Sequence, residues 1–148
     1  MTDRNPWLIV GGALSLAASA LHIGCIIGGP DWYRFLGAGE AMAHAAERGE
    51  AFPALVTFAI AAVLAIWGAY AFAGAGPIPR LPLMRTALVA ITAIYLVRGA
   101  ALIPALIVPE MNSPFNIWSS AIVLGYGLAY LIGIWRAWPS LSPKGKPA

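Results

Sequence analysis

The polar side chains able to do chemistry in this chain are few and stand out against their surroundings. They are His22, Glu40, His44, Tyr95, Arg98 and Asn116. Arg98 carries the strongest argument, because it lies inside the run 84–108, which is apolar almost throughout. Inserting a guanidinium at the centre of a membrane helix costs at least ~2.5 kcal/mol, so such a group is turned inward and paired. Tyr95 precedes it by three residues and shares its helical face. Glu40 and His44 are four apart on one face of a second segment, together with Tyr33, Gly37 and Glu47. An arginine, a carboxylate and two imidazoles offer three kinds of chemistry: binding the polar head of a ligand, acid–base transfer between His22 and Glu40, or a buried ion pair acting as a strut. The expected pair is Arg98 with Glu40, with His22 and Tyr95 as neighbours.

The elements that position these groups follow from composition. Of 148 residues, 60% are hydrophobic and 10% charged, and the mean hydropathy is +0.78. Soluble domains carry about 25% charged residues, so this chain lacks the polar surface a water-facing domain needs. A crossing requires about 20 apolar residues, and four stretches qualify: about 7–27, 53–73, 84–108 and 116–138. The predicted fold is all-α, a polytopic membrane four-helix bundle forming a single domain over 1–148. Three further spans follow the first, so it reads as a retained helix despite the cleavage-like Ala18-Ser19-Ala20. Its Ser15, Ser19 and His22, extended by Gly11 or Gly12, form the face that meets other helices.

Between the first two spans, Gly28-Gly29-Pro30 breaks the chain, Asp31 is placed to cap, and Gly49 is placed to stop a short helix over about 32–48. With aromatics at its start and a charged face, that helix reads as interfacial. Repeats of small residues every four positions mark packing ridges: Ala61, Ala65, Ala69 and Ala73 on the second span, and Ala121, Gly125, Ala129 and Gly133 on the fourth. Pro104 is expected to bend the third span near its end. The stretch 140–148 reads as a disordered tail.

Basic residues set the orientation. Six of them (Arg4, Arg80, Arg85, Arg136, Lys144 and Lys146) fall on the side of the two termini, against Arg34 and Arg48 on the other. The positive-inside rule therefore predicts a bacterial cytoplasmic membrane protein with both termini in the cytoplasm. Counting along the helices, His22 lies about 22 Å and Arg98 about 20 Å from the inner boundary, at 1.5 Å per residue. Both then fall in the outer half of the membrane, near the interfacial helix, with Asn112, Ser113 and Asn116 closing a polar chamber that opens outward.

Several function classes are excluded or unsupported. The net charge of +3 is scattered rather than gathered into a patch, which argues against nucleic acid. The single cysteine, Cys25, rules out an internal disulfide framework. No Gly-rich phosphate loop, CxxC, HExxH or GxSxG motif occurs. His22 and His44 form no compact set for zinc or a haem, so no cofactor or metal is assigned.

The segment Phe35-Leu36-Gly37-Ala38-Gly39-Glu40 after the first span, followed by Gly49 and Phe52-Pro53-Ala54, resembles the DoxX-like small four-helix bacterial membrane proteins. The resemblance covers roughly half the chain, through residue 76, with His22 in the neighbourhood where better-defined members carry a lysine. It implies the four-helix architecture and a redox-accessory role. Three readings stay open from the sequence: binding of a small or lipid-like ligand such as a quinone, a structural or assembly partner of another membrane protein or of itself, and an enzyme using His22 and Glu40 as acid and base.

Overall fold

The computed structural model describes residues 4–141. Among them the fold is all-α, with no strand: α1 (Pro6–Gly28), α2 (Pro30–Phe35), α3 (Glu40–Glu47), α4 (Phe52–Ala75), α5 (Met84–Ala100), α6 (Leu102–Ile107) and α7 (Pro114–Ala137), with 3-10 turns at Pro109–Met111 and Trp138–Leu141. Four stretches are long and apolar enough to cross a membrane: Pro6–Gly28, Phe52–Ala75, Met84–Ile107 and Pro114–Leu141. Large apolar side chains such as Ile27, Val97, Ile107 and Trp135 are exposed along them, as lipid-facing residues must be. Of the expected tail, residues 140 and 141 belong to the last 3-10 turn, and 142–148 lie outside the described residues.

The described chain forms two compact units, one of residues 4–13 with 67–141 and the other of residues 14–66. In the first unit, α5 and α7 make the most extensive helix–helix contact. Their buried residues recur near a 3.5-residue spacing: Leu88, Ile91, Tyr95 and Gly99 on α5, and Ser120, Gly127, Tyr130, Gly133, Ile134 and Ala137 on α7. Without a hydrophobic drive between helices in lipid, close backbone approach supplies the attraction, and three glycines permit it. A Cβ on Gly99 would meet the Leu124 backbone at 2.6 Å, one on Gly127 would meet Leu96 at 2.7 Å, and one on Gly133 would meet Leu8 at 2.7 Å.

The expected ridge on the fourth span is thereby corrected. Gly133 and Ala129 are buried, but Gly125 is exposed and nothing lies within 4 Å of the place its Cβ would take. Four residues advance an α-helix by about 400°, so a four-residue ridge drifts by about 40° per step and leaves a straight interface.

The N-terminus of α1 is tied into the same unit. Pro6 occupies the first helical position, which suits its missing N–H. Asn5 caps the helix, its Oδ1 accepting from Trp7 and Leu8, while its Nδ2 donates to the Gly133 carbonyl at 2.7 Å. The third span departs from a single helix at Ala101, where α5 ends and α6 begins. Pro104 has no N–H to offer the Ala100 carbonyl and its ring crowds that group, so the break falls one turn before the proline.

In the second unit, Cys25, Tyr33 and Ala43 form a small buried core, with Leu36, Met42 and Ala46 packed against it. The Ser19 hydroxyl donates to the Ala61 carbonyl at 2.7 Å, so one member of the expected α1 stripe makes a helix–helix contact. The interfacial helix expected over 32–48 is instead two helices, α2 and α3. Gly37 has φ 71° and Gly39 φ 92°, a backbone region that L side chains avoid. The Ala38 and Gly37 N–H groups bond to the Tyr33 and Arg34 carbonyls, a Schellman closure that ends α2. Gly49, with φ 73°, closes α3 in the same manner, as its position in the sequence suggests. The residue placed to cap α2 also changes. Gly29 takes the cap position, Pro30 starts the helix, and Asp31 lies in the first turn.

Candidate functional site

Arg98 lies in the last turn of α5, where the negative end of the helix macrodipole favours a cation. Its Nη1 donates to the Ser120 hydroxyl at 2.8 Å and its Nη2 to Ser119 at 3.3 Å. The Ser119 hydroxyl donates in turn to the Asn116 carbonyl at 3.4 Å. The Asn116 N–H donates to Ser113, the cap of α7, and its side-chain amide donates to the Met111 carbonyl at 3.0 Å. A polar chain thus runs from Arg98 through the first turns of α7. Two of the residues singled out from sequence, Arg98 and Asn116, are joined by it through a serine that sequence reasoning passed over.

Ser120 is buried while Arg98 is exposed. The guanidinium is held at one edge by neutral hydroxyls, and among the described residues it has no carboxylate within 4.0 Å. One helical turn before it, Tyr95 is buried in an aromatic cluster. Its ring centroid lies 5.0 Å from Trp67, 5.6 Å from Tyr126 and 5.4 Å from Tyr130. Tyr130 donates its hydroxyl to the Trp67 carbonyl at 3.1 Å. Edge-on aromatic contacts of this kind are worth about 0.5–1.5 kcal/mol each beyond area burial, so the cluster stiffens the helix that presents Arg98.

The other three sequence candidates lie in the second unit with partners of their own. Glu40 has partners within its own unit: its carboxylate receives Arg34 Nε at 3.0 Å and lies 3.5 Å from His44 Nε2. Arg34 also reaches Glu47 at 2.7 Å and Asp31 at 3.5 Å, and His44 Nδ1 contacts Glu47 at 2.8 Å. The two glycine turns fold α3 back beside α2, so short-range ion pairs capture the carboxylate. His22 Nδ1 lies 2.7 Å from the Ala18 carbonyl, one turn back on α1. The sequence signal that was missed is Arg34 beside three acids, together with Ser119-Ser120 inside an apolar run. Among the described residues, no three His, Cys, Asp or Glu side chains gather as a metal set.

The ion cluster on α2 and α3 carries a pH dependence. Hydrogen bonds from His44 and then Arg34 hold the Glu47 carboxyl below its ordinary value of 4.5. Glu47 and Glu40 push the Arg34 guanidinium further up. A carboxyl with a depressed folded pKa stabilises above its unfolded value and loses that contribution as pH falls through the folded value. Thermal unfolding in detergent is therefore expected at a lower temperature once the pH drops below about 4. Glu47→Gln should flatten that acid limb, and an unchanged limb would show that the cluster adds nothing to stability.

The four candidate spans place this chain in the class of multi-pass membrane proteins. Comparison with family models, with curated proteins and with solved structures finds no match.

Proposed function

We propose that the protein binds a small or lipid-like ligand with a polar head, such as a quinone, in a bacterial inner membrane with both termini cytoplasmic. Arg98 is the anchor. The observation that supports this reading is a guanidinium within an apolar span that has two neutral hydroxyls as acceptors and no carboxylate among the described residues. A pure strut is better served by an acid that cancels the charge, since an uncompensated cation is costly in lipid. Held at one edge, the guanidinium keeps donors for a carbonyl, carboxylate or phosphate oxygen. A redox-accessory role of the DoxX-like kind is the biological setting that the resemblance over residues 35–54 suggests.

The test is purification in mild detergent followed by mass spectrometry of retained lipids and quinones. Wild-type protein should retain a ligand that Arg98→Gln loses at least tenfold, with Ser120→Ala intermediate. Equal retention by wild type and Arg98→Gln would overturn the proposal. A second reading, a structural or assembly partner, is favoured by one observation: Gly125 is open on the outside of α7, where a helix of another protein could approach closely.

A further inference from the structure

The corner of the first unit where α1 begins and α7 ends holds a guanidinium with donors to spare. Asn5 Nδ2 donates to the Gly133 carbonyl, and Leu8 packs where a Cβ on Gly133 would fall. These contacts fix the first turn of α1 beside the end of α7. There the Arg136 guanidinium lies over the Trp7 ring, 5.9 Å from its centroid. The negative face of an indole attracts a cation at this range, and stacking leaves the N–H groups at the guanidinium rim for other acceptors. Among the described residues, no oxygen accepts from Arg136 and no carboxylate pairs with it.

The surroundings of this corner are cationic and apolar at once. Arg4, next to the capping Asn5, is exposed. Arg80 and Arg85 are held by the Ser140 and Trp138 carbonyls, so they add charge at this end of α7. The one acid among the described residues of this unit is Glu110, just before α7 begins. The 24 residues of α7 put it about 36 Å from Arg136, far beyond the ~8 Å over which salt screens exposed charges. Trp135 is exposed beside Arg136, a residue type that settles at headgroup level. Val10, one turn along α1 from Trp7, and Leu131, one turn back along α7 from Trp135, are exposed as well. A free anion would use the arginines and leave these side chains bare, whereas a lipid uses both.

We infer that Arg136, stacked over Trp7, is a docking surface for the phosphate headgroup of an anionic phospholipid whose acyl chains lie along Val10 and Leu131. The planar rim of the guanidinium matches two phosphate oxygens, and the neighbouring arginines select a lipid with net negative charge. This surface is separate from Arg98, which is held by Ser119 and Ser120 in the first turns of α7. The orientation proposed above would place it in the cytoplasmic leaflet, where anionic lipids attract juxtamembrane basic residues.

The experiment follows thermal unfolding of the full chain in a nonionic detergent during titration with short-chain phosphatidylglycerol, short-chain phosphatidylcholine or inorganic phosphate. Phosphatidylglycerol should raise Tm, less so at high salt, while phosphatidylcholine and inorganic phosphate should not. Arg136→Gln should raise the half-saturating concentration at least tenfold. Arg136→Lys keeps the charge but loses the planar fork, so it should raise that concentration at least threefold. Arg136 is exposed, so neither variant disturbs the core. Arg98→Gln should respond like wild type, so this surface and the Arg98 reading can fail independently. An Arg136→Lys protein that responds like wild type would reduce the effect to diffuse charge and overturn the inference. Equal responses to the two lipids, an equal response to inorganic phosphate, or no response to phosphatidylglycerol would overturn it as well.

Discussion

Gly99→Ala is expected to lower the unfolding free energy by about 3 kcal/mol, at the upper end of overpacking costs. The added carbon would lie 2.6 Å from the Leu124 Cα and 2.7 Å from its N. Those are backbone atoms of the facing helix, so no side-chain rotation relieves the clash and α5 must move away from α7. The movement would also pull Arg98, the preceding residue, from Ser119 and Ser120. Gly125→Ala is the matched control on α7. Nothing surrounds that position, and replacing glycine by alanine inside a helix contributes about 0.8–1 kcal/mol in the stabilising direction. Reversible unfolding in mixed micelles measures both. Equal effects at the two glycines would refute the assigned α5–α7 interface.

Tyr130→Ala should destabilise by about 3–5 kcal/mol, the range for removing a large buried aromatic. Tyr130 is fully buried, its ring touches Tyr95, and its hydroxyl reaches the Trp67 carbonyl. Tyr130→Phe keeps the ring and should cost only about 1 kcal/mol, the net worth of one hydrogen bond. A cycle with Gly11 sharpens the test. A Cβ at Gly11 would meet the Tyr130 ring at 2.8 Å, so Gly11→Ala should be damaging beside Tyr130 and much milder beside Leu at 130. Such non-additivity is the mark of direct contact. Additive effects would place the two residues apart.

The sequence by itself determined the class of this protein, because hydropathy acts over whole segments. Twenty apolar residues in a row have one stable environment, and a backbone in lipid must bond to itself, so four helical spans follow. Turn chemistry was equally local: Gly29 with Pro30 separates α1 from α2, and Gly49 ends α3, both legible from residue type. Gly37 was harder to read. It lies at a position compatible with a helical face, and its role as a stop appears only once its φ is known.

Side-chain partners were decided by tertiary structure. The number of residues along a helix constrains the height of a side chain such as Arg98 or Glu40, but neither its rotation about the axis nor the nearer groups that compete for it. Glu40 meets Arg34, six residues away, because the Schellman turn at Gly37 and the left-handed backbone at Gly39 fold α3 back beside α2. Arg98 was taken by Ser119 and Ser120, because close approach at Gly99 brings α7 within reach. The small-residue ridges show the same division. Composition says that helices can approach closely, but which glycine meets a backbone depends on the angle at which they cross. That angle is set by the fit of all the side chains together.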